Sequence, residues 1–256
     1  MSALGQHRRV VDLAVVLVGR DLRVSYGHAL LGLLWAPLSA LVQVLVLAFV
    51  FVRVLPLGVD DYAVFVFTGV TVWQLALVAL IGGAEAFTGN RDLVRRPGFP
   101  TAVLPLTTIG SALAGYVLSL PVLLLAVALA GRLTVAALAL PMVLLAALLV
   151  LTGPALLVAT LNVRFRDVRH LVGLLLGVLF YVTPVFYAAD RIPERYRWVA
   201  ELNPLALAVR LHRQVLYDGE WPDASRLGRC MLLGLAGAAV GYAVFRRFES
   251  HLSDDL

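Results

Sequence analysis

Residues 101–131 read TAVLPLTTIGSALAGYVLSLPVLLLAVALAG, Arg132 follows, and residues 133–163 read LTVAALALPMVLLAALLVLTGPALLVATLNV. No charged side chain interrupts either run. An α-helix needs about 20 apolar residues to cross the ~30 Å hydrocarbon core of a bilayer, so each run suffices alone. In lipid every backbone N–H and C=O must find a partner within the protein, which predicts helices here. The period-two alternation of a membrane β-strand is absent.

Working outward, further uncharged runs occupy Leu30–Val52, Tyr62–Ala84 and Leu171–Ala189. A last run, Cys230–Phe245, is extended by Leu227 and Phe248. The expectation is an all-α integral membrane protein of six transmembrane helices in one domain, 1–256, without internal repeats. Composition agrees. The 256 residues are 61% apolar and 14% charged, against roughly 45–50% and 25% in soluble domains. Mean hydropathy is +0.91. There is too little polar surface to coat a soluble globule, which argues against a soluble enzyme, a disordered chain or a secreted disulfide scaffold.

The net charge of +5 comes entirely from arginine, for the chain has no lysine. The arginines lie in the gaps between spans, so membrane lipid rather than nucleic acid is the expected polyanionic surface. Arg91, Arg95 and Arg96, then Arg164, Arg166 and Arg169, fill one set of short gaps. The opposite set holds only Arg53 and Arg132. With Arg8, Arg9, Arg20 and Arg23 before the first span and Arg246 and Arg247 after the last, both termini are expected in the cytoplasm. Asp12 interrupts the first apolar stretch and no small-residue cleavage site follows, so no signal peptide is expected. Residues 4–24 place Arg8, Arg9, Asp12, Arg20 and Arg23 on one helical face, which predicts an amphipathic cytoplasmic interface helix within 1–28. Residues 30–189 hold spans one to five, and 230–248 span six. The external segment 190–229 between them is expected to carry a short helix at Pro193–Trp198 and a re-entrant or interfacial helix at Leu205–Leu216.

Several chemistries are missing. A phosphate-binding P-loop needs a lysine, so ATP hydrolysis, if used, must come from a partner. No acid lies inside a span, and Glu85 sits at the cytoplasmic end of one, which leaves proton coupling almost nothing to use. The five histidines show no metal-ligand spacing, and Cys230 is the only cysteine. No enzyme activity is expected of this chain, and no bound metal or cofactor.

Four segments carry a family resemblance: Arg20-Asp21-Leu22-Arg23-Val24-Ser25-Tyr26 with Leu31-Gly32-Leu33-Leu34-Trp35-Ala36-Pro37; Asn90-Arg91-Asp92-Leu93-Val94-Arg95-Arg96 with Phe99-Pro100; Asn162-Val163-Arg164-Phe165-Arg166-Asp167-Val168; and Leu202-Asn203-Pro204. The chain resembles the permease subunits of type-2 ABC exporters, in the polysaccharide, O-antigen and teichoic-acid export group. The similarity runs from about Arg20 to Phe248, with the segment from Asn162 its most specific part. Ala29 departs from the family's frequent threonine.

The resemblance implies a half-transporter of the bacterial inner membrane. A second copy would complete the pathway, and a dimer of a separate ABC ATPase, carrying ATP and magnesium, would drive it. The substrate would be a lipid-linked polysaccharide or polyol-phosphate polymer. Asn90, Arg91, Asp92, Leu93, Arg95 and Arg96 would then couple the permease to the ATPase, although any membrane protein has a positive-inside loop. Arg20, Arg23, Arg164, Arg166 and Asp167 would hold a lipid phosphate in arginine forks, or would structure their own loops, for example as an Arg166–Asp167 or Arg164–Asp167 pair. Phe180, Tyr181, Trp73 and Tyr116 are pathway candidates, since sugar C–H faces stack on aromatic rings; aromatics also serve ordinary packing. Gly173-x-x-x-Gly177 and Gly237-x-x-x-Gly241 would allow close helix approach, inside one subunit or between two. The alternatives are a type-2 exporter of hydrophobic drugs or lipids, a non-transporting scaffold, and a proton-coupled carrier.

Overall fold

The computed structural model describes residues 3–26, 32–249 and 252; of residues 3–11, 25, 26 and 33 it describes the backbone alone. Leu30 and Leu31 at the start of the expected first span lie outside the described residues, as do the side chains of Arg8 and Arg9. The described residues form helices and no strands.

Helix α1 spans Ala3–Tyr26. Helix α2 runs over Trp35–Ala48 and continues as a π-wound turn through Val54. Helix α3 is Tyr62–Glu85, α4 is the single turn Arg91–Val94, and α5 is Val103–Leu129. Helix α6 is Leu140–Arg164, entered through a 3-10 turn at Val135–Ala139, and α7 is Val168–Val182. Two shorter helices follow, α8 at Arg197–Leu202 and α9 at Pro204–Leu216, and then α10 at Ala224–Phe248. Five of these segments are long and apolar enough to cross a membrane: Trp35–Val54, Tyr62–Glu85, Val103–Leu129, Val135–Arg164 and Ala224–Phe248.

The expected fifth span differs. Its helix stops at Val182, short of Ala189, because Thr183 precedes Pro184. The proline ring disfavours helical backbone in the residue before it, and Thr183 is extended at φ −83°, ψ 134°. At 1.5 Å per residue, α7 is only about 22 Å long. The other prolines disturb less. Pro37 and Pro105 sit in first turns and Pro141 opens α6, where an N–H lacks a partner anyway. Pro121 and Pro154 lie inside helices that continue past them.

Helix α3 is apolar on every side and takes the centre, packed by α2, α5, α6, α7 and α9. Helices α6 and α10 approach until their backbones touch. A Cβ on Gly153 would collide with the Gly237 carbonyl, and one on Gly241 would collide with the Gly153 backbone. The Gly237-x-x-x-Gly241 pair is thus used inside the subunit. Nothing lies within 4 Å of where Cβ atoms on Gly173 and Gly177 would be, so that pair faces open space. Large apolar side chains remain exposed along the outer helix faces, including Leu45, Phe49, Leu125, Leu174 and Val240. Such a belt suits lipid and not water.

The bundle has two distinct ends. The arginine-rich end gathers Arg20, Glu85, Asn90, Arg169 and Glu249, and a second buried cluster beneath them joins Leu17, Phe87, Val94, Val103, Val163 and Phe245. The far end is laced by Arg132 and Asp61, by Tyr217 and the Asp60 carbonyl, and by Arg191 and the Leu57 carbonyl.

Candidate functional site

At the arginine-rich end the structure brings two separate stretches of sequence together. Helix α1 lies along α5, where Gly110 makes room for Val18. Arg20 then donates from Nη2 to the Asn90 Oδ1 at 2.6 Å while pairing with its neighbour Asp21 at 2.9 Å. Asn90 completes its own bonding by donating from Nδ2 to the Ala86 carbonyl at 2.9 Å. Arg20 is therefore a loop-binding residue in this state. Arg23 is exposed and bonds the Gly19 carbonyl of its own helix.

The turn α4 that follows Asn90 is anchored from below by buried Val94, with Leu93 half-buried beside it. Arg91, Asp92, Arg95 and Arg96 point the other way, exposed and without an ion-pair partner among the described residues. An apolar foot with a charged, unpartnered crown suits a projection that another protein grips.

The loop between α6 and α7 is built differently from either expected ion pair. Arg164, Arg166 and Asp167 are exposed and unpaired among the described residues. Asn162, buried, shapes the loop by accepting the Arg169 backbone N–H at 3.1 Å on its Oδ1. The Arg169 side chain crosses to Glu85 at the end of α3. Neither contact is legible in the sequence beyond the acid–base complementarity of Glu85 and Arg169.

The aromatic candidates separate into two groups. Phe180 stacks edge-on against Trp73 with ring centres 5.5 Å apart, and meets Tyr181 at 5.6 Å and Phe186 at 5.4 Å. Phe51 extends this cluster through Phe186, again at 5.4 Å. Trp73 and Phe180 are buried within the subunit, whereas Tyr181 is 69% exposed on the open face of α7. Tyr116 lies apart. It lines a cavity of about 260 Å³ between α2, α3 and α5, with Ser39, Thr71, Gln74 and Ser111. Its hydroxyl shares a 2.6 Å hydrogen bond with His212 of α9.

Helix α9 accounts for the second surprise. Asn203 caps it by accepting the Leu205 N–H at 3.0 Å, and Pro204 occupies the first turn, which explains the Leu-Asn-Pro sequence locally. The helix is buried against α3, α6 and α10, and His212 and Arg213 go inside with it. Just beyond it, at the far end, burial pushes the Asp218 carboxyl up, with Arg213 opposing the shift. Asp61 there adopts a left-handed backbone at φ 43° and is held by Arg132 at 2.7 Å. That hydrogen bond is also what pushes the Arg132 guanidinium further up.

Comparison with known proteins agrees with this architecture. The sequence profile described as "ABC-2 type transporter" matches residues 13–217. An "O-antigen export system permease protein RfbA" of Myxococcus xanthus is 31% identical over 241 residues, covering 93% of this chain and 92% of the relative. A protein of the same name from Klebsiella pneumoniae is 26% identical over 247 residues, 96% and 95% of the two chains. The "Polysialic acid transport protein KpsM" of Escherichia coli is 24% identical over 235 residues, 90% and 91% of the two. The profile covers both arginine-rich loops, the broken helix α7 and all of α9. On that match the chain is a multi-pass membrane permease and belongs to the ABC-2 type transporter family.

Proposed function

We propose that this chain is the membrane half of an ATP-driven exporter that carries a lipid-linked polysaccharide out across the bacterial inner membrane. Similarity to O-antigen and polysialic acid transport proteins over at least nine-tenths of the chain supports the substrate class. Two copies form the pathway, and a separate pair of ATPase subunits binds and hydrolyses ATP. Both termini lie in the cytoplasm, and the chain crosses six times.

The fifth crossing needs more than helix α7. The helix supplies about 22 Å, and beyond it the chain turns tightly, with the Val185 N–H donating to the Thr183 carbonyl at 2.7 Å. The Phe186 carbonyl accepts a 2.6 Å hydrogen bond from the Tyr62 hydroxyl at the first residue of α3, so the segment does arrive at the far end. Helix α9 is then the re-entrant element. The open face of α7, with Gly173, Gly177 and Tyr181, is where the second copy and the glycan meet the subunit.

One observation carries the coupling role: the Arg20–Asn90 bond docks α1 beside the exposed charges of α4. Motion of a bound ATPase at α4 passes into α1 and α3 together. Replacing both Asp92 and Arg95 with Ala leaves the apolar foot untouched. Export should be lost while the chain stays in the membrane at its normal level. Export at the wild-type rate, with normal subunit abundance, would remove α4 from the coupling path.

A further inference from the structure

Arg213 is buried in the bundle at 6% exposure and forms no ion pair among the described residues. Burying a guanidinium without a counter-ion is costly, so its hydrogen bonds must matter to the fold. They all go to backbone. Nη1 donates to the Pro184 carbonyl at 3.0 Å, and Nη2 to the Val185 carbonyl at 2.7 Å, with a weaker contact to Phe65 at 3.5 Å. The guanidinium also lies 3.6 Å from the centre of the Phe65 ring.

Those carbonyls belong to the stretch where α7 has stopped and no helical partner exists. Neighbouring groups are held in the same way. Asn203 donates to the Thr183 hydroxyl at 3.0 Å, and Tyr62 bonds Phe186. Gly69 completes the joint. A Cβ there would sit 2.7 Å from the Val185 carbonyl and 2.9 Å from Arg213, so only glycine lets the stretch lie on α3. Non-helical backbone at membrane depth is tolerated only where protein satisfies it, and α9 brings the donors.

We propose that Arg213 is a positioning residue for transport: it clamps residues 183–186 onto α3 and thereby sets where α7 and its aromatic cluster stand on the pathway. Arginine suits this task because its planar fork serves two carbonyls at once while its face stacks on an aromatic ring. A lysine ammonium is a single point and cannot do both. Phe180 precedes the clamped stretch, Phe186 is its last residue, and the two rings stack on each other. Loosening the clamp frees the outer end of α7 without touching α1 or α4, where ATP-driven motion enters. The transport part of this inference rests on the exporter reading; the clamp itself does not.

The test uses the full chain in vesicles with its ATPase, labelled with a nitroxide at Asp190→Cys; native Cys230 is buried. In Arg213→Ala the label should become mobile. Glycan exported per ATP hydrolysed should fall by roughly tenfold or more, the scale of losing one charge-assisted hydrogen bond, while ATP hydrolysis continues. Arg213→Lys should fall between Ala and the parent. An unchanged label in Arg213→Ala overturns the clamp. A mobile label with an unchanged export ratio overturns the positioning role, as does a loss of export that only follows the amount of chain in the membrane. If Arg213→Ala does not fold, Gly69→Ala displaces the Val185 carbonyl instead and should mobilise the label; an immobile label there counts against the clamp. If the parent complex exports no glycan, the exporter reading fails, while the label still decides the clamp.

Discussion

Asn90 spends both ends of its amide, one on Arg20 and one on the Ala86 carbonyl, so it joins α1, the end of α3 and the α4 turn. An alanine keeps the backbone and removes both bonds. Arg20 is 42% exposed, so solvent screens its share, and the combined loss should come to about 1–2 kcal/mol. That is enough to release α1 transiently but too little to unfold the bundle. Limited proteolysis in mild detergent should therefore cut Asn90→Ala ahead of the first span faster than the parent, with the thermal midpoint almost unchanged. Equal cutting rates would mean that Val18 packed over Gly110 and buried Leu17 hold α1 without the hydrogen bond. Residues of this kind also show what sequence can reveal. Arg20 and Asn90 each stood out as a polar group in a resembling segment, yet nothing in either segment says that they touch. Arg213 was visible as a charge within Leu205–Leu216, but its partners are carbonyls, and every residue has one.

Among the elements, α3, α5, α6 and α10 were the most legible, because long uncharged runs have one stable solution in lipid. Their ends moved by a few residues where local chemistry decided. Asp223 extends α10 backwards by accepting the Arg226 N–H at 2.7 Å, which a hydropathy boundary ignores. Helix α7 was read too long, since apolarity continues to Ala189 while the Thr183–Pro184 step ends the helix. Helix α9 was read as re-entrant or interfacial; it lies buried against α3, α6 and α10, and His212 and Arg213 go inside with it. The α6–α10 contact makes a sharp prediction. Gly241→Val puts a branched side chain where the Gly153 backbone already lies, and separating the helices should cost about 1–3 kcal/mol. The thermal midpoint in detergent should drop by several degrees, whereas Gly177→Val on the open face should leave the isolated subunit unaffected. Equal effects at the two sites would show that backbone contact is not what holds α6 to α10.

At the scale of the whole molecule, the ends of the bundle are tied internally and its flanks are not. Ion pairs and hydrogen bonds close the arginine-rich end around Asn90 and Arg169 and the far end around Asp61 and Arg132. Between them, α2, α7 and α10 carry exposed apolar side chains, such as Val46, Val178 and Leu235, that a bilayer or another copy must cover. The chain has no lysine and therefore no P-loop of the usual form, and the proposed reading assigns ATP hydrolysis to a separate subunit. The proposed export therefore stands or falls with that partner. The most direct measurement is purification of the full chain from its native membranes in mild detergent, with mass spectrometry of the bound proteins and lipids. The account predicts an ABC ATPase in equal amount together with a polyprenyl-linked glycan. Repeated recovery without an ATPase, under conditions that keep a known exporter pair intact, would contradict it; the ATPase with no glycolipid would contradict the substrate class alone.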